Sequence, residues 1–490
     1  MLNRRDCVML GAASLVIPSC TTLPSTKQDL LVNDVHAQLN PTSVARIVRT
    51  AGVDTIANTI RLARTEGKHV SISGSRHAMG GQQFASESLL LDMRGMNRIL
   101  KLERESGTVE VESGIEWPEL INGLNALQEG ESQPWAIVQK QTGADRLTIG
   151  GALSANVHGR GLKFGPMIQD VESFTLIDGD ATPLNCSRSE NRELFQLAIG
   201  GYGLFGVIAN VKLRLARRTK IRRVVEIAHI NDIAEAFAQR ISEGYTYGDF
   251  QYSTDEKSDG YLGRGVFSCY LPVPMDTPIP TDQLLLSAND WNQLIFMGHA
   301  DKARAFDVYS AYYLSTSGQI YWSDTHQLST YIEDYHRAID TQLGAAVRAT
   351  EMITEIYVPR AALADFMAEV RADFRAHEVN VIYGTVRLVE RDEESFLAWA
   401  REPWACIIFN LHVVHNPAGL AKAEVDFRRL IDHAIDRGGS YYLTYHRWAS
   451  LEQVESCHPR FIEFMRLKRQ YDPNERFQSE WYRHYRDAFA

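Results

Sequence analysis

The sequence predicts an α+β chain of two domains. At 490 residues it is longer than a single hydrophobic core usually serves. Its apolar residues alternate between short period-two runs and stretches of helical spacing, and one short strand leads directly into a glycine-rich loop, with a second glycine-rich segment further on. With 44% hydrophobic and 23% charged residues the composition is that of an ordinary globular protein. A net charge of −10, with basic residues scattered along the chain, leaves no footprint for a phosphate backbone, so nucleic acid is not expected as a partner. The six cysteines lie far apart without a CxxC pair, and neither a disulfide framework nor a metal site is expected.

Residues 1–23 read as a twin-arginine signal peptide. Arg4-Arg5 precedes an apolar run from Val8 to Pro18, too short to cross a hydrocarbon core of about 30 Å. Export to the periplasm follows from this reading. Ile17-Pro18-Ser19-Cys20 resembles a lipobox, so the membrane becomes a partner only if Cys20 is lipidated. Pro41-Thr42-Ser43 offers a helix start before Val44, Ile47 and Val48, and a second helix is predicted from Thr55 to Glu66. The strand Val70-Ser71-Ile72 comes next and opens into Ser73-Gly74-Ser75-Arg76-His77-Ala78-Met79-Gly80-Gly81-Gln82. Such a loop lets backbone N–H groups face phosphate oxygens while one side chain, His77, reaches elsewhere.

Short strands are predicted over Ser88–Met93, Arg98–Leu102 and Thr108–Glu112, with a helix starting at Trp117-Pro118-Glu119. The second small-residue segment runs from Thr148 to Gly161. It packs poorly alone and suits a flat polar ligand bonded by backbone amides and the Ser154 hydroxyl. A hairpin follows, Val171–Ile177 against Ala181–Cys186, then a helix over Glu190–Ile199 and a strand over Val207–Leu215. Gly201-Tyr202-Gly203-Leu204-Phe205-Gly206 satisfies GxGxxG, and Glu226 lies at a plausible distance downstream. The element order is helix, glycines, strand, the reverse of a dinucleotide fingerprint, so these glycines are read as a turn.

Together these segments resemble the FAD-binding domain of the vanillyl-alcohol oxidase, or PCMH-type, flavoproteins. The resemblance implies a two-lobed FAD domain over residues 24–217, a substrate (cap) domain with an antiparallel sheet and flanking helices over 218–454, and a C-terminal segment, 455–490, that returns to the FAD domain. It implies that Gly74, Ser75, Arg76, His77, Ala78, Gly80, Gly81 and Gln82 wrap the cofactor's pyrophosphate, with Ala78 in place of a common serine. His77 would carry a covalent bond to the flavin. Thr148, Gly150, Gly151, Ser154, His158 and Gly159 would pass under the flavin and ADP moieties, with Val207 beside them. No cysteine lies between Gln141 and Thr148 to form a second link.

The cap strands can be read face by face. Period two puts Glu355 with Tyr357, Thr385 with Arg387, and Asn410 with His412, each on a polar face of an otherwise apolar strand. His415, three residues past His412, falls on the opposite face. Arg387 and His412 look like the arginine and histidine with which alditol-oxidase-like members polarise and deprotonate a hydroxyl. Thr385 stands where those enzymes carry a glutamate, and Tyr445-His446-Arg447-Trp448 replaces their late lysine motif, offering Tyr445, His446 or Arg447. Arg387 has an alternative in pairing with Glu390 or Asp392. The expected activity is hydride transfer from a C–OH carbon of a small sugar, polyol or lactone to flavin N5, with oxygen or a redox carrier as acceptor. Val157, bulkier than its counterpart in oxygen-reactive relatives, points to a dehydrogenase. The alternatives are oxidation of a C–N bond with Glu355 as the base, and a flavin-binding envelope protein without turnover.

Overall fold

The computed structural model describes residues 30–329 and 331–489. The predicted export segment, with Cys7 and Cys20, lies outside them. Among the described residues no helix is long and apolar enough to cross a membrane.

A small parallel sheet opens the fold. Strands β1 (Arg46–Arg49), β2 (Val70–Ser73) and β3 (Leu89–Asp92) lie in the order β1–β3–β2, covered by helix α1 (Val53–Thr65), which buries Ile56, Ile60 and Ala63. The predicted helix after Pro41 does not form. Thr42–Ser43 pairs as a short strand and residues 46–49 form β1. Val44, Ile47 and Val48 are β-branched, so pairing along Leu89–Asp92 outweighs a helical spacing seen over less than two turns.

A larger antiparallel sheet follows, made of β4 (Ile99–Glu103), β5 (Thr108–Glu112), β6 (Trp135–Ile137), β7 (Val171–Ile177), β8 (Pro183–Ser187) and β9 (Val207–Arg217), with β9 central. Helix α2 (Trp117–Leu127) begins where predicted, with Pro118 in its first turn and a capping box between Glu116 and Glu119. Helix α3 (Ile149–Ala155) is a single small-residue segment capped by Thr148. Helix α4 (Arg192–Ala198) enters β9 through Gly200 and Gly203, both at positive φ, so the GxGxxG segment is a helix-to-strand turn.

The third sheet has eight antiparallel strands: β10 (Lys220–His229), β11 (Tyr247–Tyr252), β12 (Arg264–Val273), β13 (Ile320–Trp322), β14 (Ala349–Pro359), β15 (Val381–Val389), β16 (Trp404–Val414) and β17 (Ser440–Tyr441), ordered β13–β10–β12–β11–β15–β16–β14–β17. One face is apolar. Phe250, Phe267, Val386 and Phe409 pack there against Phe237 of α5 (Ile230–Ser242) and Phe374 of a helix spanning Leu363–Ala376. The opposite face carries Asp249, Glu351, Glu355, Arg387 and Asn410. Helices α6 (Ala288–Ala300) and α7 (Lys302–Ser315) cover part of it.

The C-terminal segment closes the first sheet: Val70 N–H donates to Arg476 O and Gln478 N–H donates to Val70 O. Its anchor is Lys468 with Asp472, an ion pair whose side chains are 0% and 3% exposed and whose carboxylate also accepts from the N–H groups of Arg476 and Phe477. Lys468→Met leaves that carboxylate buried without its cation and is expected to destabilise the fold by about 3–5 kcal/mol in equilibrium urea unfolding. A loss below about 1 kcal/mol would show that the pair contributes little to holding the segment.

Candidate functional site

One cavity of about 720 Å³ joins the two glycine-rich segments to the polar face of the eight-stranded sheet. Gly74, Ser75, Arg76, His77 and Ala78 line it from the first loop. Thr148, Gly151, Ala155, Val157 and His158 line it from the second, and Glu351, Glu355, Arg387, Asn410 and Tyr445 from the sheet and the segment after it.

The loops meet at Gly74, where a Cβ would lie 2.1 Å from Thr148 Oγ1. That close approach requires glycine. Arg76 adopts φ 64°, which turns the chain so that Gly74 through Ala78 border the cavity, and its Nε has no partner among the described residues. No acceptor among the described residues receives the N–H groups of Ser75, His77 or Ala78. These donors suit a phosphate, and the donor set fits the pyrophosphate of a dinucleotide. Gly80, Gly81 and Gln82 are placed differently from expectation. They do not line the cavity, and Gln82 donates to Leu443 O and Thr444 O, tying the loop to the C-terminal region.

His77 lies at the cavity wall with its Nδ1 2.7 Å from His36 Nε2 and both rings near Tyr331. Burial pulls the His77 pKa down to about 4, and burial together with His77 depresses that of His36. Both rings are therefore neutral at pH 7, one nitrogen donating and the other accepting. Ser154 spends its hydroxyl on Gly150 O within α3, so it is not free for a ligand as expected. Gly150 packs on Ser113, Gly159 on Lys140 O, and Val207 is a fully buried core residue; none of the three lines the cavity.

On the sheet, register and face combine. Glu355 stands opposite Ile408, Thr385 opposite Ile408, and Arg387 opposite Cys406, so the residues read as sharing faces do share one. Glu355 is 2% exposed and bonds His158 Nε2 directly. Tyr357 hydroxyl donates to its Oε1 at 2.9 Å and Tyr445 hydroxyl to its Oε2 at 3.2 Å. Burial alone would raise its pKa; the charge and bond of His158, then the Cys406 bond and Arg387, hold it below the ordinary carboxylate range. Arg387 is 7% exposed with its Nε unpaired among the described residues. It does not pair with Glu390, which accepts from Arg360 instead.

Three expected catalytic side chains stand elsewhere. His412 does not line the cavity; its Nδ1 lies 3.1 Å from Glu351 Oε1, one step beyond the cavity-lining Asn410. His446 is 2% exposed, stacked on Tyr441 and against Phe427. Tyr357 supports Glu355 from behind, stacked on Trp399. Sequence reasoning missed His36 and Glu351. Glu351 carried a signal, since it falls two period-two steps before Glu355. It accepts from Tyr335 at 2.5 Å and lies 2.7 Å from His299 Nε2 on α6, fastening the helical cover to the sheet. His158, Glu355 and Cys406, and likewise His299, Glu351 and His412, bring potential metal ligands within 4.8 Å of one another. Hydrogen bonds already join the carboxylate to each partner in both groups.

Comparison with known proteins agrees with this cavity. Residues 44–187 match the model of an FAD binding domain. The chain is 27% identical to cytokinin dehydrogenase 9 of Oryza sativa subsp. japonica over 246 residues, 44% of this chain and 45% of that protein. It is 30% identical to L-gulonolactone oxidase of Mus musculus over 162 residues, 33% and 35% of the two chains. The chain thus spans less than half the length of these curated relatives.

Two outcomes follow from the geometry. Gly74→Ala forces Thr148 off the N-cap of α3 and is expected to lower stability by about 1–3 kcal/mol; an unchanged melting temperature would contradict the close approach. The His299–Glu351 link gives a pH dependence. Burial opposes both charges, but the pair raises the pKa of His299 above 6.5 and lowers that of Glu351 below 4.5. Its contribution is lost as pH rises through the raised His299 value, and lost again in acid as Glu351 is protonated. His299→Gln should therefore cost more melting temperature at pH 6 than at pH 9, and equal costs would refute the link.

Proposed function

Because the chain belongs to the FAD-linked oxidoreductases built on the PCMH-type FAD-binding domain, we propose that it takes hydride from a carbon bearing a hydroxyl group, in a substrate of the sugar, polyol or lactone kind. The observation that carries this reading is the cluster of Arg387, Glu355 and Tyr445 on the cavity that the two loops also line. Bound FAD would supply the hydride acceptor. The backbone of residues 74–78 and the segment 148–158 would hold it.

The side chains provide the rest. Arg387 presents positive charge where a substrate oxygen would lose its proton. Glu355 Oε2, with Tyr445, accepts the hydrogen bond of the substrate hydroxyl. A carboxylate with a depressed pKa is a weak base, yet it suffices, because a hydroxyl whose carbon has lost hydride is a very strong acid. Covalent attachment through His77 is part of the proposal: the neutral ring keeps a lone pair on one of its two nitrogens. So are export by the twin-arginine route and, from Val157, slow reaction with oxygen.

Oxidation of a C–N bond is the second reading. It is favoured by a carboxylate rather than an imidazole at the cavity and by the likeness to a cytokinin dehydrogenase. Against it, Arg387 repels a substrate ammonium. Anaerobic mixing with panels of alcohols and amines decides between them: alcohols are expected to bleach the flavin absorbance, bleaching by amines alone selects the second reading, and no bleaching removes both. Glu355→Gln is expected to lower kcat/KM by about 10²-fold or more, and His412→Asn by much less. Equal losses would return His412 to the reaction. Denatured wild-type protein should keep its yellow colour and His77→Ala should release it; release from both would exclude the covalent bond.

A further inference from the structure

We propose that Arg160 and Asp249 form a second polar subsite in the cap half of the cavity, one that receives a vicinal diol on a saccharide-like ring remote from the oxidised carbon. The inference rests on the hydroxyl-donor reading and extends it from a small alcohol to a substrate with a second hydroxylated unit.

Both residues line the cavity; Arg160 follows His158 and Gly159 at the end of the second glycine-rich segment, and Asp249 lies outside both loops and the Glu355 cluster. Asp249 lies on β11 beside the Phe250–Val386 pair, which in an antiparallel ladder sets it opposite Arg387. Arg160 approaches from the segment after His158, held to the same strand by Gly248 N–H donating to Arg160 O. Its Nη1 stops 3.6 Å from Asp249 Oδ2, with side chains 12% and 4% exposed. That gap is wider than a hydrogen bond. Arg160 Nε and Asp249 Oδ1 each lack a partner among the described residues, as do Arg387 Nε and Asn410 Oδ1 on the same cavity. A buried carboxylate 3.6 Å from one guanidinium and on the strand beside Arg387, with an unused acceptor facing unused Nε donors, is costly unless a ligand completes it.

The chemistry of that ligand follows from the pattern. A carboxylate or phosphate would meet Asp249, and an ammonium would meet Arg160, Arg387 and Arg223. Neighbouring hydroxyls satisfy both signs, donating to Asp249 while accepting from arginine. The surrounding wall suits the apolar faces of a sugar ring: Tyr383, Tyr313 and Tyr309 line the cavity, with the Tyr309 hydroxyl bonded to Gln251 on β11. Tyr383 is 40% exposed, so its ring is available for stacking.

The test uses the purified holoprotein with cellobiose, lactose, sorbitol and benzoate, following melting temperature and protein fluorescence. Disaccharides are expected to bind saturably and raise the melting temperature, and Asp249→Asn and Arg160→Gln to weaken that binding about tenfold or more. Tyr383→Ala, at a partly exposed position, should weaken it too without unfolding the chain. Flavin absorbance in the absence of sugar should stay that of the wild type. Stabilisation by benzoate alone, disaccharide binding indifferent to all three substitutions, or a changed flavin spectrum in Asp249→Asn would each overturn the subsite. Saccharide binding without bleaching keeps the subsite and removes the hydroxyl-oxidation reading. Bleaching by alcohols without saccharide binding removes the subsite alone.

Discussion

The contact between His158 and Glu355 sets the terms for the rest of the molecule. Glu355 projects from β14, the strand next to the short edge strand β17, at 2% exposure, where an ionised carboxylate without a partner would cost several kcal/mol. Its partner comes from a different part of the chain, the segment leaving α3. The glycine-rich segment and the cap sheet can therefore be assembled only in one relation. Trp399 fixes it further, lying against the His158 ring and stacked on Tyr357, which itself bonds Glu355. The second glycine-rich segment and the polar face of the sheet are thus held in register by one buried contact.

The same constraint recurs along the polar face. Glu351 is 5% exposed and is satisfied by His299, His412 and Tyr335. His299 arrives from α6 and Tyr335 from the start of a further helix, Tyr335–Leu343. Among the described residues α6 and α7 bury almost nothing apolar of their own, Gly298 and Ser310 being their buried members. Polar contacts such as His299 to Glu351 and Tyr309 to Gln251 therefore carry much of the attachment.

Much of this was legible in the chain. Period two alone placed Glu355, Arg387 and Asn410 each on the polar face of its own strand, which the register then joins into one face, and the glycine loops announced themselves by composition. What periodicity cannot give is where along a face the cavity stops. His412 has the same parity as Asn410, but one step further on it meets Glu351 rather than open space. Nor does local sequence reveal partners from distant segments: His36 and His77 are 41 residues apart, and nothing around His36 marks it. The helix expected after Pro41 failed for a related reason, since β-branched residues over so short a window follow whichever neighbour offers pairing, and that neighbour, Leu89–Asp92, lies far along the chain.

Burial also produces opposite charge states at the two ends of the cavity. At the loop end, His77 and His36 face each other, and since neither offers a compensating charge, burial leaves both neutral. At the sheet end, Glu355 is buried more deeply yet stays ionised, because His158 and Arg387 supply charge that outweighs desolvation. The difference lies in the partner, not in the depth. It leaves neutral imidazoles at the loop end of the cavity and an ionised carboxylate at the sheet end.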